Sequence, residues 1–102
     1  MDFNLDTQED TFVLSIGGEL DALSTSELDP VIGKISKDRP SKLRIDLSQL
    51  RLIDSSGVGA IVSLFKIVKG YEGTLTLVGV RDQPLAILRL LQLDRVLIRE
   101  HA

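Results

Sequence analysis

Asp54-Ser55-Ser56-Gly57 sets two hydroxyls between a carboxylate and a glycine. At the head of a helix, Asp and Ser accept hydrogen bonds from unpaired first-turn amides, and glycine permits close approach, so the segment reads as a compact strand-to-helix turn. Taken alone, it needs no role beyond capping. The same geometry also exposes a hydroxyl to a kinase, and a phosphate placed there would face free amides and the positive end of the helix. The fold would tolerate it. Because the modification adds about −1.5 to −2 charges, its effect should fall on whatever docks against the turn.

Other constellations are weaker. Glu19-Leu20-Asp21 offers two carboxylates flanking a buried-looking leucine, either a general acid–base pair or, as alternating residues at a strand end, a solvated loop edge. The single histidine, His101, stands one residue from the end of the sequence, so neither a Ser-His-Asp triad nor a histidine metal site can be assembled convincingly. With no cysteine, thiolate zinc sites, iron–sulfur clusters, disulfides and cysteine nucleophiles are excluded. Gly17-Gly18 and Gly57-Val58-Gly59 lack a Gly-Lys-Ser/Thr sequence, and the second lacks the third glycine of a dinucleotide fingerprint. Four aromatic residues, two of them at core-like positions, make a poor base-stacking platform. No metal, cofactor or direct nucleic-acid binding is expected.

The elements that position these residues follow from a chain of 102 residues, 43% hydrophobic and 26% charged. A fold of this size buries roughly 60–70% of its unfolded surface, so one domain spanning residues 1–102 needs no staples. No apolar run approaches the roughly 20 residues of a membrane span, and Met1 leads straight into Asp2, so a soluble cytoplasmic protein is expected. The net charge of −3 hides a division: residues 1–33 hold eight acids and no Lys or Arg, whereas residues 34–102 hold twelve bases and seven acids. Such polarity fits either two solvated faces or a surface that steers a basic partner.

Hydropathy predicts two strands, Phe3 to Thr7 and Thr11 to Gly17, paired around Gln8-Glu9-Asp10. Ser24 and Glu27 have capping-box spacing for a helix burying Leu28, Val31, Ile32 and Ile35, with Pro30 inside its first turn or so and Asp38-Arg39-Pro40 as its stop. Lys42 to Ser48 alternates strictly and reads as a strand with Leu43, Ile45 and Leu47 on one face. A helix from Asp54-Ser55-Ser56-Gly57 to Gly70, a strand from Thr74 to Val80 and a short helix entered through Pro84 complete a strand–helix–strand unit and its extension. Val96-Leu97-Ile98 reads as a final edge strand. The fold class is mixed α/β: a four- to five-stranded mixed sheet with helices mainly on one face.

Glu19-Leu20-Asp21 after the second strand, Leu47-Ser48, and Ile53-Asp54-Ser55-Ser56-Gly57-Val58-Gly59 together resemble the STAS domain of bacterial anti-sigma factor antagonists, over nearly the whole chain. The resemblance implies a phosphorylation-controlled partner switch. In that family the unphosphorylated antagonist binds an anti-sigma factor that is also a serine kinase and so frees a sigma factor; phosphorylation reverses this, and a serine phosphatase resets it. The ATP belongs to the kinase. By position, Ser55 matches the phosphoacceptor, with Ser56 the second choice, while Asp54 matches the acid of the turn. Glu19, Asp21, Asp54, Ser56 and Gly57 are implied partner contacts. Family members usually carry a further helix after the last strand; its apparent absence after Val96-Leu97-Ile98 would leave a surface open to homo-oligomer formation.

Two other readings stay open. One is a STAS scaffold or accessory subunit of a larger signalling or lipid-transport assembly. The other is a weak nucleotide-binding enzyme, for which no hydrolytic residues can be named.

Overall fold

A computed structural model describes residues 1–98, so His101 lies outside the described residues. Strands β1 (Asp2–Gln8) and β2 (Thr11–Leu20) form an antiparallel hairpin, as their alternation predicts. A 3-10 turn over Thr25–Leu28 leads into α1 (Asp29–Asp38), and β3 (Lys42–Ile53) returns parallel to β2. Helix α2 (Ser55–Gly70) carries the chain to β4 (Thr74–Val78), parallel to β3. Helices α3 (Asp82–Leu90) and α4 (Asp94–Leu97) follow. Sheet order is β1-β2-β3-β4, so both parallel pairs are joined by a helical crossover. Among the described residues no helix is long and apolar enough to cross a membrane.

One face of the sheet carries the core. Leu14, Ile16, Leu43, Ile45, Leu47, Leu75 and Leu77 bury against Ile35 of α1, Ile61, Leu64 and Val68 of α2, and Leu88 of α3. The opposite face is mainly polar, with Arg44 exposed and Ser15, Asp46 and Ser48 half-buried beside Val13 and Val78.

Strand β3 runs five residues past the alternating stretch. Its buried residues change spacing from two to three at Leu47, Leu50 and Ile53. Register explains the change: Ser15 pairs with Asp46 but Gly17 with Gln49, and Gly18 pairs with Leu50 but Glu19 with Leu52. Each step inserts one extra residue on β3, and such a bulge re-aims the following side chain, here back toward the core. Gly17 accommodates the first bulge, because a Cβ there would lie 3.1 Å from Gln49 Cβ.

Two expectations are corrected. Val96-Leu97-Ile98 is no strand: Leu97 N–H donates to Leu93 O (2.9 Å) and Ile98 N–H to Asp94 O (2.9 Å), closing a helical turn that buries Leu97. Three apolar residues with Asp94 and Arg95 before them satisfy their backbone groups locally more readily than at a sheet edge. The last strand is therefore β4, and α3 and α4 come after it, while Leu90, Leu91 and Val96 stay exposed at this end. Ser24, in turn, makes no side-chain cap on the Thr25–Leu28 turn, because its hydroxyl is engaged by the preceding loop. Pro30 does lie at the start of α1, where a missing N–H costs nothing, and Arg39 in the left-handed region (φ 50°) ends that helix before Pro40.

At the end of the sheet remote from the Asp54 turn, the β1–β2 turn is tied to the α1–β3 connector. Ser41 N–H donates to Asp10 Oδ1 (2.9 Å), and hydrogen bonds from Ser41 hold the Asp10 carboxyl below its ordinary value. That contribution to stability is present above the unfolded carboxylate range and is lost as pH falls through the lowered native value. Tyr71 Oη donates to Pro40 O at 2.7 Å. Burial, and secondarily the nearby Asp10 charge, push its phenol above the ordinary value, against an opposing effect of Arg39. A raised acid is stabilising while protonated, so this contribution is complete below about pH 10 and is lost as pH rises through the higher native value. Tyr71→Phe removes the donor to Pro40 and is expected to cost about 1–2 kcal/mol, read as a lower urea midpoint at unchanged slope. It should also remove the tyrosine component of the alkaline decline.

Candidate functional site at the head of helix α2

The site is built where β2 and β3 end side by side. Asp54 N–H donates to Leu20 O (3.2 Å), continuing the ladder for one residue beyond β3. Asp54 itself is extended (φ −111°, ψ −173°), and Oδ1 accepts from Gly57 N–H at 3.0 Å. This is the side-chain cap expected of the tetrapeptide, satisfying one of the amides that the first helical turn leaves without an intrahelical partner. Ser55 and Ser56 are the first two residues of α2 and are both exposed.

The other Asp54 oxygen reaches across the chain. Oδ2 accepts from Ala22 N–H at 3.1 Å, so one carboxylate fastens the loop after β2 to the helix head. Within that loop Asp21 Oδ1 accepts from Leu23 N–H (3.0 Å), Ser24 N–H (3.1 Å) and the Ser24 hydroxyl (3.1 Å). Ser24 Oγ accepts from Asp21 N–H (3.0 Å) and approaches Glu19 O at 2.9 Å. Asp21 is thus half-buried and an organiser of its own loop, while Glu19 is an exposed carboxylate 4.0 Å from the Arg51 guanidinium. An acid–base pair is not what these two make, since Asp21 is committed to backbone donors.

Gly57 has a strict steric reason. A Cβ at this position would collide with Leu20 O and lie 2.6 Å from Ile53 Cγ1. The helix head therefore approaches the ends of β2 and β3 more closely than any side chain permits. At Gly59, by contrast, a Cβ would enter open space, with nothing within 4 Å.

The structure brings Glu19, Asp21, Asp54, Ser55, Ser56 and Gly57 to one end of the molecule. Three further contributors had no sequence signal. Gln83 donates through Nε2 to Ile53 O (2.9 Å) and accepts through Oε1 from Ile53 N–H (2.9 Å), replacing the strand that β4, which ends at Val78, does not supply there. Leu52, 48% exposed, lines a shallow cleft of about 280 Å³ with Glu19, Asp21, Ile53, Asp54 and Gln83. Leu23 is 90% exposed on the loop held by Asp21 and Asp54.

Fold and site together define a helix-backed mixed sheet that displays a serine turn and an adjoining acidic loop at one end. The chain belongs to the STAS domain family, whose model matches residues 2–101. It is 28% identical over 85 residues to the anti-sigma-B factor antagonist of Staphylococcus aureus, covering 81% of this chain and 79% of that protein. The crystal structure of a putative anti-sigma factor antagonist from Thermotoga maritima shares the fold with a TM-score of 0.85 at 25% identity, covering 94% of this chain and 83% of that one. The anti-sigma factor antagonist SpoIIAA in its unphosphorylated form matches at TM-score 0.76 and 18% identity, over 99% of this chain and 90% of that one.

Proposed function

We propose that this protein is an anti-sigma factor antagonist, a regulatory binding module rather than an enzyme, which in the cytoplasm switches partners according to phosphorylation of Ser55. Unphosphorylated, it binds an anti-sigma factor serine kinase and so releases a sigma factor; phosphate on Ser55 reverses this, and a serine phosphatase restores the binding form. Ser56, one residue further along the helix, is the second choice of acceptor. Glu19 is a contact to the kinase, and Asp21, Asp54 and Gly57 hold the loop and turn in the shape that the kinase reads.

The observation that carries this reading is the Asp54 turn. Ser55 is exposed at the first position of a sixteen-residue helix whose head is fixed from both sides, by the Asp54 cap and by the close approach at Gly57. A phosphate there meets helix amides and leaves the core untouched. It also places a dianion next to Asp54, which lines one cleft with Glu19, changing what a docking surface meets without remodelling the scaffold. The names of the relatives agree with this role, and SpoIIAA, which shares the fold, has been solved in a phosphorylated form.

Incubation with the cognate kinase and ATP should add one phosphate, and Ser55→Ala should abolish it, read by intact-mass spectrometry and peptide mapping. Phosphate on a residue other than Ser55 in the wild type would overturn the assignment.

A further inference from the structure

We infer that Leu23 is the apolar anchor of the partner interface, seated in an apolar pocket of the anti-sigma factor kinase whose rim is basic. The inference rests on the partner-switch reading above and names the contact that carries it. Among the described residues Leu23 is the most exposed of the large apolar side chains, at 90%. Its backbone is nevertheless fixed: its own N–H and that of Ser24 are held by Asp21 Oδ1, and the preceding N–H by Asp54 Oδ2. Ser24, on its other side, is buried at 7% exposure. A leucine on a fixed backbone gives up only side-chain freedom, and no loop order, when it inserts into a pocket, which favours it as an anchor over a residue on an unpinned loop. Leu90 and Leu91, also exposed, are held by the helical backbone at the end of α3 rather than by a carboxylate-pinned loop.

Charge fixes the chemistry of the occupant. Leu23 lies in a segment, residues 1–33, that contains Glu19, Asp21, Glu27 and Asp29 and no Lys or Arg, and its loop is fastened to the carboxylate of Asp54. The nearby cation Arg51 already faces Glu19 at 4.0 Å. A pocket matching this surface is apolar at its centre and carries Lys or Arg around it, an arrangement that steers association through charge and retains the complex through apolar burial. The same placement joins the anchor to the switch. Leu23 and Ser55 are each one residue removed from the Ala22–Asp54 hydrogen bond, so a partner seated on Leu23 that extends across this bond meets the turn bearing the hydroxyl.

The test uses the purified kinase that phosphorylates Ser55, titrated with wild type, Leu23→Ala, Leu90→Ala and Ser55→Asp, each checked for an unchanged thermal transition. Leu23→Ala should weaken binding at least 30-fold, with most of the change in the dissociation rate, while Leu90→Ala stays within twofold. Raising salt from about 50 to 300 mM should slow wild-type association several-fold. Binding of Leu23→Ala within threefold of wild type, or equal losses for Leu23→Ala and Leu90→Ala, would overturn the anchor; an association rate indifferent to salt would overturn the basic rim. If Ser55→Asp loses affinity and Leu23→Ala does not, only the anchor fails; if Ser55→Asp binds like wild type, the switch itself fails. A wild-type dimer in sedimentation that Leu23→Ala dissolves would place a second copy on this leucine and would equally overturn the assignment.

Discussion

Gly57→Ala is expected to destabilise the protein by roughly 3 kcal/mol or more, while Gly59→Ala, two residues on, stabilises it by about 0.5–1 kcal/mol. The two glycines look alike in the sequence, and the difference lies in what a methyl group would meet. At Gly57 it would be driven against the Leu20 carbonyl and the Ile53 side chain, both belonging to strand ends that cannot retreat without breaking the ladder. The helix head would have to lift. That movement strains the bond from Gly57 N–H to Asp54 and, through the same carboxylate, the bond to Ala22. At Gly59 the methyl enters open space and only the helix propensity changes, in favour of alanine. Against a typical total stability of 5–15 kcal/mol the first effect is large. Urea unfolding of the two variants checks it, and similar midpoints for both would show that the close approach at Gly57 has no energetic consequence.

Ser55→Asp should lower affinity for the kinase by about two to three orders of magnitude while moving the thermal transition by no more than a degree or two. A thousandfold loss corresponds to about 4 kcal/mol. One charge pressed unpaired into an interface, close to Glu19 and Asp54, supplies that through desolvation and like-charge repulsion. Stability changes little because an acid in the first helical turn gains about 0.3–1 kcal/mol from the helix dipole, which repulsion from the neighbouring Asp54 offsets. The aspartate carries less charge than a phosphate, so the phosphorylated protein should show the larger loss. Calorimetric titration and thermal denaturation on the same samples separate the two effects.

Much of the architecture was legible because it depends on local patterns. Leu43, Ile45 and Leu47 alternate, Ile61, Leu64 and Val68 recur at helical spacing, and Asp54 precedes a glycine-containing helix start; each signal is confined to a few residues, and each element formed. What escaped the sequence depends on contacts that hydrophobic spacing does not reveal. The extension of β3 to Ile53 is hidden because two bulges shift the buried positions from every second residue to every third. The competition for Ser24 is hidden likewise: its spacing to Glu27 suits a cap, but the carboxylate of Asp21 and the carbonyl of Glu19 claim the hydroxyl first. Val96-Leu97-Ile98 was apolar enough for a strand and too short for periodicity to decide.

The candidate site divides in the same way. Asp54, Ser55, Ser56 and Gly57 are contiguous, and their geometry follows from helix capping. Glu19 and Asp21 were joined to them by resemblance alone, and the structure supplies the physical link, the Asp54 carboxylate that binds Gly57 on one side and Ala22 on the other. Leu23 and Leu52 carried no signal, since an exposed leucine and a core leucine are the same letter. Gln83 was invisible for another reason: its role exists only because β4 stops at Val78 and leaves Ile53 without a neighbouring strand.

Binding of the kinase to enzymatically phosphorylated and unphosphorylated protein, prepared from one batch and melted side by side, bears most directly on the mechanism. Phosphate on Ser55 should reduce affinity at least a hundredfold, with coincident thermal transitions. Equal affinity for the two forms would contradict it, as would a loss of binding accompanied by a collapse of the melting temperature.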